Sequence, residues 1–142
     1  MNMGWLGFGS SANRARPPLV ESAGWGGWTA TWPRDSLAGV MMEKEGRGVN
    51  VSYLARGKNP RGSGGQMLAD TLRAAGIHRP TAIRISEITN RETQEALIRG
   101  FSPGETKLGK TLRRTAAELG GRITNWSSGD DGLPWIKAQI KY

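Results

Sequence analysis

Glycine is the residue that most constrains how this chain can fold. The 142-residue sequence contains 21 glycines, and several of them stand where an apolar pattern stops. Because glycine favours turns and helix ends and weakens the interior of regular elements, the glycines predict a chain divided into short helices and strands. The length predicts one domain of ordinary size around a single core.

Residues 1–45 differ in composition from the rest of the chain. Gly, Trp, Ser and Pro are abundant, four of the six tryptophans lie here, and no helical or strand period persists. This composition predicts an irregular linker or wrap over residues 1–45 and a compact domain over residues 46–142. Since disordered segments are poor in aromatics, we expect the part from Trp25 to Trp32 to dock on the domain. We expect the first fifteen or so residues to be loose.

Apolar patterns after residue 45 predict four strands and three helices. The strands, in which apolar and polar residues alternate, are predicted at residues 49–53, 82–88, 122–126 and 134–142. The helices, which carry apolar stripes and are bounded by caps or glycines, are predicted at residues 66–75, 90–99 and 106–119. This order predicts an α+β fold, with an about four-stranded, mainly antiparallel sheet and three helices packed on one face.

Alternation also divides the predicted sheet into two faces. In the last strand Ile136 and Ala138 point to one side, and Lys137 points to the other. The helices are expected to cover the apolar side. The uncovered side, called the open face below, is expected to carry Asn50, Ser52, Arg84, Ser86, Thr124, Lys137, Gln139 and Lys141. This face is interpreted either as an ordinary solvated surface or as one that binds phosphate, because its cations outnumber its carboxylates.

Charge and residue usage narrow the function classes. The chain has 20 Lys and Arg against 12 Asp and Glu, a formal net charge of +8, and 14 of the cations are Arg. This balance favours a nucleic-acid partner over charge that serves only solubility or an acidic protein. With no Cys and one His, disulfides, zinc ribbons, Fe–S clusters, Cys nucleophiles and multi-histidine metal centres are excluded. No metal or cofactor is therefore expected, and no stable membrane insertion, since no apolar run approaches about 20 residues.

Two basic segments are candidate phosphate contacts. A Gly-rich loop carrying Arg56, Lys58 and Arg61 precedes the first predicted helix, but it lacks the Walker A pattern and is equally compatible with a flexible connection. In the third helix the cations lie on one face, which is also typical of a solvated surface. The candidate nucleic-acid-binding residues are Arg56, Lys58, Arg61, Lys107, Lys110, Thr111, Arg114, Trp126 and Lys141.

The candidate catalytic residues follow from what metal-independent RNA cleavage requires. A base must deprotonate the 2′-OH, an acid must protonate the 5′-oxygen, and cations must stabilise the phosphorane. Arg84 and Lys137 are assigned the last role, and His78, Thr124 or Tyr142 the proton transfers, although His78 is also explained as a surface loop histidine.

Three other features have simpler explanations. Glu43-Lys44-Glu45 is similar to the end of a metal-dependent nuclease signature but has no suitable acidic partner upstream, and Asp130-Asp131 is typical of a turn. Trp126 and Trp135 either stack on bases or pin the final hairpin.

From about residue 64 onward the sequence resembles the C-terminal toxin domains of bacterial polymorphic toxins, of the Rhs-repeat and contact-dependent growth inhibition types. The segments that carry the resemblance are Gly64-Gly65-Gln66-Met67-Leu68-Ala69, Leu108-Gly109-Lys110-Thr111-Leu112, Leu119-Gly120-Gly121 and Trp135 to Tyr142. The resemblance implies a ribonuclease, compatible with the barnase–EndoU–colicin–RelE type. It also implies export as the C-terminal part of a larger bacterial protein, action in the target-cell cytoplasm, and a cognate immunity protein, expected to be acidic.

These observations lead to one hypothesis and two alternatives. The hypothesis is a metal-independent ribonuclease toxin that cleaves tRNA by 2′-OH attack. The alternatives are a non-enzymatic basic nucleic-acid-binding module and a toxin of another chemistry, such as NAD-dependent ADP-ribosyl transfer.

Overall fold

Seven strands and three helices make up the part of the chain that the computed structural model describes, which is residues 17–24, 26–58 and 63–142. The strands are β1 (Leu19–Ser22), β2 (Gly27–Trp32), β3 (Asp35–Glu45), β4 (Gly48–Arg56), β5 (Ala82–Ile85), β6 (Arg122–Asp130) and β7 (Pro134–Lys141). The helices are α1 (Gly64–Ala74), α2 (Arg91–Ile98) and α3 (Lys107–Glu118), with a 3-10 turn at Pro103–Glu105 before α3.

All seven strands belong to one sheet, in the order β1-β2-β3-β4-β5-β7-β6. Strands β1 to β4 form an antiparallel meander. Strand β5 pairs in parallel with β4 and antiparallel with β7, and β7 pairs antiparallel with β6. Because parallel neighbours need a long crossover connection, α1 occupies the link between β4 and β5.

The predicted sheet of about four strands, preceded by an irregular Gly/Trp-rich segment, is wrong. The sheet has seven strands, and three of them lie within residues 19–45. Glycine turns such as Gly26, whose φ is +81°, interrupt the segment. In β3 the exposed Met41 lies between buried Val40 and Met42, so no apolar–polar alternation marks that strand. Trp32 is buried and Trp28 packs against the core, whereas Trp25 and residues 1–16 lie outside the described residues.

The prediction that all three helices pack on one face of the sheet is also wrong. Helices α1 and α3 contact each other and supply Met67, Leu68, Leu72, Leu112 and Ala116 to a core shared with the sheet. Helix α2 buries only Thr93 completely and packs against α3. An eight-residue helix with so little apolar surface has no stripe wide enough to cover a sheet.

Close contact between α1 and α3 depends on Gly65. A Cβ atom at this position would lie 2.5 Å from Cβ of Arg114 and 2.7 Å from the carbonyl oxygen of Thr111. Across the same contact, the Thr115 hydroxyl donates a hydrogen bond of 3.1 Å to the Gly65 carbonyl oxygen. The two helices therefore approach until backbone and side chain touch, which a larger residue at Gly65 would prevent.

We predict that Gly65→Ala is less stable than Gly64→Ala by about 1–3 kcal/mol, because an added methyl overpacks the contact between helices. Gly64→Ala is the matched control, since a Cβ there meets its nearest atoms at 3.4–3.7 Å, which is ordinary contact. Both substitutions gain similar helix propensity, so the difference between them measures the clash. Urea denaturation followed by circular dichroism measures this difference in free energy of unfolding. Equal stabilities of the two variants would contradict the steric role of Gly65.

Candidate active site on the open face of the sheet

One row of polar side chains crosses the open face of the sheet. The register places Glu43 of β3 opposite Asn50 of β4, Asn50 opposite Arg84 of β5, and Arg84 opposite Lys137 of β7. Residues directly opposite each other have Cβ atoms about 4.5–5.5 Å apart. This row and its immediate neighbours are called the open-face cluster, which consists of Glu43, Glu45, Asn50, Arg84, Ser86, Asp131, Trp135 and Lys137.

Arg84 is held at the centre of the open-face cluster by three contacts. One terminal nitrogen, Nη1, lies 3.3 Å from Oε2 of Glu45, and Nη2 lies 3.4 Å from Oδ2 of Asp131. The guanidinium carbon lies 4.9 Å from the centre of the Trp135 ring, which is a cation–π contact. The contacts come from β3, from the β6–β7 turn and from β7, so Arg84 connects distant parts of the chain.

Glu45 lies between the two cations of the cluster. Its carboxylate contacts Arg84 through Oε2 and lies 4.0 Å from Nζ of Lys137 through Oε1. The residue opposite Glu45 on β4 is Gly48, which has no side chain, and a Cβ there would collide with the carbonyl oxygen of Ala82. The glycine therefore allows β4 and β5 to approach closely and leaves the space beside Glu45 free of a side chain.

Asn50 is the buried member of the open-face cluster. Its Nδ2 donates to Oγ of Ser86 at 3.1 Å and to Oε1 of Glu43 at 3.4 Å. Its Oδ1 and the Nε of the opposing Arg84 are both buried and have no hydrogen-bond partner within the described part of the chain. A buried acceptor and a buried donor that are both unpaired cost free energy, and natural proteins accept such costs at functional sites.

The structure brings together two of the five predicted catalytic residues, Arg84 and Lys137. Tyr142 lies five residues beyond Lys137, about 17 Å along an extended chain, and its hydroxyl donates to the Pro80 carbonyl oxygen at 2.8 Å. His78 is exposed in the loop that also contains Pro80. Thr124 is exposed at an irregularity of β6, where the register with β7 shifts. These three side chains are therefore distributed outside the open-face cluster.

Most of the predicted nucleic-acid-binding residues lie away from the open face. On α3, Lys107 lies 3.9 Å from Glu92, Arg114 lies 3.2 Å from Glu118, and Lys110 is exposed. These cations alternate with residues that α3 buries toward the core. They form a basic surface on the helix side of the molecule.

The remaining predicted contacts are dispersed. Arg56 and Thr111 both adjoin Gly64 at the start of α1, and the Lys58 backbone N–H donates to the Asp35 carboxylate at 2.7 Å. Lys141 is exposed near the end of β7, and Arg61 lies outside the described residues. The Trp126 ring packs against the core and lies 5.3 Å from the Arg113 guanidinium of α3, so it faces the helices and not the open face.

Of the eight members of the open-face cluster, sequence reasoning named only Arg84 and Lys137 as site residues, and it placed Asn50 and Ser86 on the open face without assigning them a role. Glu43 and Glu45 were assigned to an irregular segment, although they lie on β3. Asp131 was interpreted as a turn residue and Trp135 as a stacking or pinning residue. The run Met41-Met42-Glu43-Lys44-Glu45 has no apolar–polar alternation, and the proximity of Glu45 to Arg84 depends on strand order, so no local signal marked these two carboxylates.

Comparisons with protein-family models, with curated proteins and with solved structures found no match for this chain. Among the described residues, none of the helices has the length and apolar character needed to cross a membrane. In the same residues, no group of three or more His, Cys, Asp or Glu side chains could hold a metal ion.

We predict that ionisation of the Tyr142 phenol lowers the free energy of unfolding at high pH. Burial raises the pKa of the Tyr142 phenol above its ordinary value, and the Arg79 guanidinium partly opposes this rise. A raised folded-state pKa means that the protonated phenol stabilises the fold; this contribution is complete below pH about 10 and is lost as pH rises through the folded-state pKa. Tyr142→Phe removes the hydrogen bond to the Pro80 carbonyl oxygen. Because Tyr142 is 39% exposed, the loss should be near the lower end of the usual range for one hydrogen bond, about 0.5 kcal/mol at neutral pH.

The difference in free energy of unfolding between wild type and Tyr142→Phe should narrow above pH about 10, because ionisation of the phenol destabilises only the wild type. Urea denaturation at a series of pH values measures it, with Tyr53→Phe as the control at the other tyrosine. A difference that stays constant to high pH would contradict the role of the Tyr142 hydroxyl.

Proposed function

We propose that this protein is a metal-independent ribonuclease that binds RNA on the open face of its sheet, with tRNA as the candidate substrate. The observation that supports this proposal best is the position of the Glu45 carboxylate between Arg84 and Lys137, beside the Trp135 ring. A carboxylate base and two cations supply the groups that 2′-OH attack on a neighbouring phosphate requires.

In this proposal Glu45 replaces histidine as the general base. The Glu45 carboxylate accepts the proton of the 2′-OH, and the 2′-oxygen attacks the adjacent phosphorus. The bond from phosphorus to the 5′-oxygen breaks, and the Lys137 ammonium gives the leaving oxygen a proton. The products are a 2′,3′-cyclic phosphate and a 5′-hydroxyl, and proton transfer through water returns Glu45 and Lys137 to their starting states.

Arg84 stabilises the negative charge that develops on the phosphorane oxygens. To do so it exchanges the Asp131 carboxylate for a phosphate oxygen. The Asp131 side chain is 74% exposed and its oxygen lies 3.4 Å from Arg84, and pairs of this kind contribute at most about 1 kcal/mol. Phosphate, which accepts two hydrogen bonds from a guanidinium fork, is a suitable competitor, and the Trp135 ring keeps the guanidinium plane oriented during the exchange.

The overall charge supports a polyanionic substrate. The net charge of +8 attracts RNA over a distance, although the open-face cluster itself contains three carboxylates and two cations. The basic surface on α3 adds a second region of positive potential on the helix side. A folded RNA that extends beyond the open face is therefore a better match to this charge distribution than a mononucleotide.

The biological role that we propose is that of a toxin in bacterial competition. It rests on the resemblance of residues 64–142 to polymorphic toxin tips. In this role the protein is exported as the C-terminal part of a larger protein and acts in the cytoplasm of the target cell. An acidic immunity protein would neutralise it, because complementary charge speeds association and selects the partner.

We predict that purified protein cleaves total RNA in the presence of EDTA and leaves cyclic phosphate and 5′-hydroxyl ends. Glu45→Gln should reduce the rate at least about 100-fold, the usual minimum contribution of a general base. Glu21→Gln is the matched control, since Glu21 is an exposed carboxylate in β1, outside the open-face cluster, and it should retain full activity. Gel analysis and end-labelling of the products measure both effects.

Three outcomes of this assay separate the candidate functions. Intact RNA with salt-sensitive binding would overturn the ribonuclease and support the non-enzymatic binding module. Consumption of NAD without RNA cleavage would support transferase chemistry. Cleavage by Glu45→Gln at the wild-type rate would leave a ribonuclease but remove Glu45 as its base.

The toxin role predicts that expression of the wild-type chain in the bacterial cytoplasm stops growth, whereas Glu45→Gln is tolerated because the base is absent. Growth curves at matched expression levels measure this difference. Equal toxicity of the two chains, with Glu45→Gln folded and inactive on RNA, would separate toxicity from the proposed chemistry.

A further inference from the structure

An exposed aromatic and apolar pair adjoins the open-face cluster. Tyr53 of β4 and Met41 of β3 lie directly opposite each other, and each is 49% exposed. Met41 precedes Glu43 by two residues on the same strand, so both side chains lie on the open face. Two residues span about 7 Å along a strand, so Met41 lies about that far from Glu43 in the polar row. On β4 the register shifts between the two rows, and three positions separate Tyr53 from Asn50.

The Tyr53 ring lies against the sheet at a glycine. A Cβ atom at Gly39 would be 3.4 Å from Cε2 of Tyr53, which is ordinary van der Waals contact, so the Tyr53 ring lies over the backbone of β3 at this position. With about half of its surface exposed, Tyr53 presents a platform to solvent. Exposed aromatic rings of this kind bind flat partners, and every nucleobase has a face that can stack on them.

From this arrangement we infer that Tyr53, with Met41 beside it, is a stacking site for an unpaired nucleobase of the RNA substrate. The inference rests on the proposed function, because it places the phosphate of the same strand at Arg84 and Lys137. A base on Tyr53 and a phosphate at Arg84 lie in adjacent rows of one sheet face. In a duplex the base faces are covered by their neighbours, so the site selects single-stranded or looped RNA.

Binding and cleavage are tested separately with a 2′-O-methyl oligoribonucleotide, which cannot undergo attack by its 2′-oxygen. Fluorescence anisotropy should show that wild type binds the single strand more tightly than the duplex of the same sequence. Tyr53→Ala should weaken binding of the single strand about 5- to 100-fold, the usual effect of one lost stacking contact. Tyr53→Phe keeps the ring and should bind like wild type.

Phe101→Ala is the matched aromatic control, because Phe101 is 50% exposed but follows α2 and lies outside the sheet. It should leave the affinity unchanged. Circular dichroism confirms that each variant is folded.

The outcomes distinguish the inference from the proposed ribonuclease. Tyr53-dependent binding of the oligonucleotide with no cleavage of unmodified RNA supports the stacking site and overturns the ribonuclease. Cleavage by wild type with equal affinities of Tyr53→Ala and wild type overturns the stacking site and leaves the ribonuclease. Self-association of wild type that Tyr53→Ala abolishes, without oligonucleotide binding, overturns the inference in favour of a protein interface.

Discussion

The parallel pairing of β4 with β5 is the interaction on which the rest of the structure depends. Among the described strands it alone joins the meander β1 to β4 to the unit β5-β7-β6. Val49 and Val51 lie opposite Ile83 and Ile85 and are buried with them in the core. Asn50 and Arg84 form the pair between these two apolar pairs, so their side chains must point to the open face. The apolar contact between β4 and β5 therefore completes the core on one face of the sheet and sets the register of the polar row on the other face.

The same pairing explains how opposite charges are combined in a basic protein. Strands before the junction contribute Glu43 and Glu45, whereas strands after it contribute Arg84 and Lys137. These ion pairs are partly exposed and add little to stability, so their main effect is to orient the Arg84 fork and the Glu45 carboxylate. In the proposed ribonuclease the net charge would attract the polyanion at long range, and the local carboxylates would orient Arg84 and transfer protons rather than add affinity.

Local patterns predicted much of the second half of the fold. Alternation and capping residues placed helices at residues 66–75, 90–99 and 106–119, close to the observed α1, α2 and α3, because both signals depend on near neighbours in sequence. Arg84 and Lys137 were assigned to one face for the same reason. Strands β1 and β2 were missed because glycine and tryptophan interrupt their short runs. Strand β3, and with it Glu45, was missed because exposed Met41 lies between buried Val40 and Met42, so the apolar residues do not alternate with polar ones. The parallel contact joins strands separated by a helix, and no local pattern encodes it.

Glycine inside strands is usually unfavourable because it weakens pairing and offers no side chain to pack. On the open face, however, glycines lie next to the side chains of the candidate site. Gly129 lies opposite Trp135, where a Cβ atom would be 2.6 Å from the indole ring, and Gly48 lies opposite Glu45, where a Cβ atom would collide with the carbonyl oxygen of Ala82. Gly129 therefore lets the Trp135 ring approach the sheet, and Gly48 lets β4 and β5 approach each other, so these two glycines help to shape the open face.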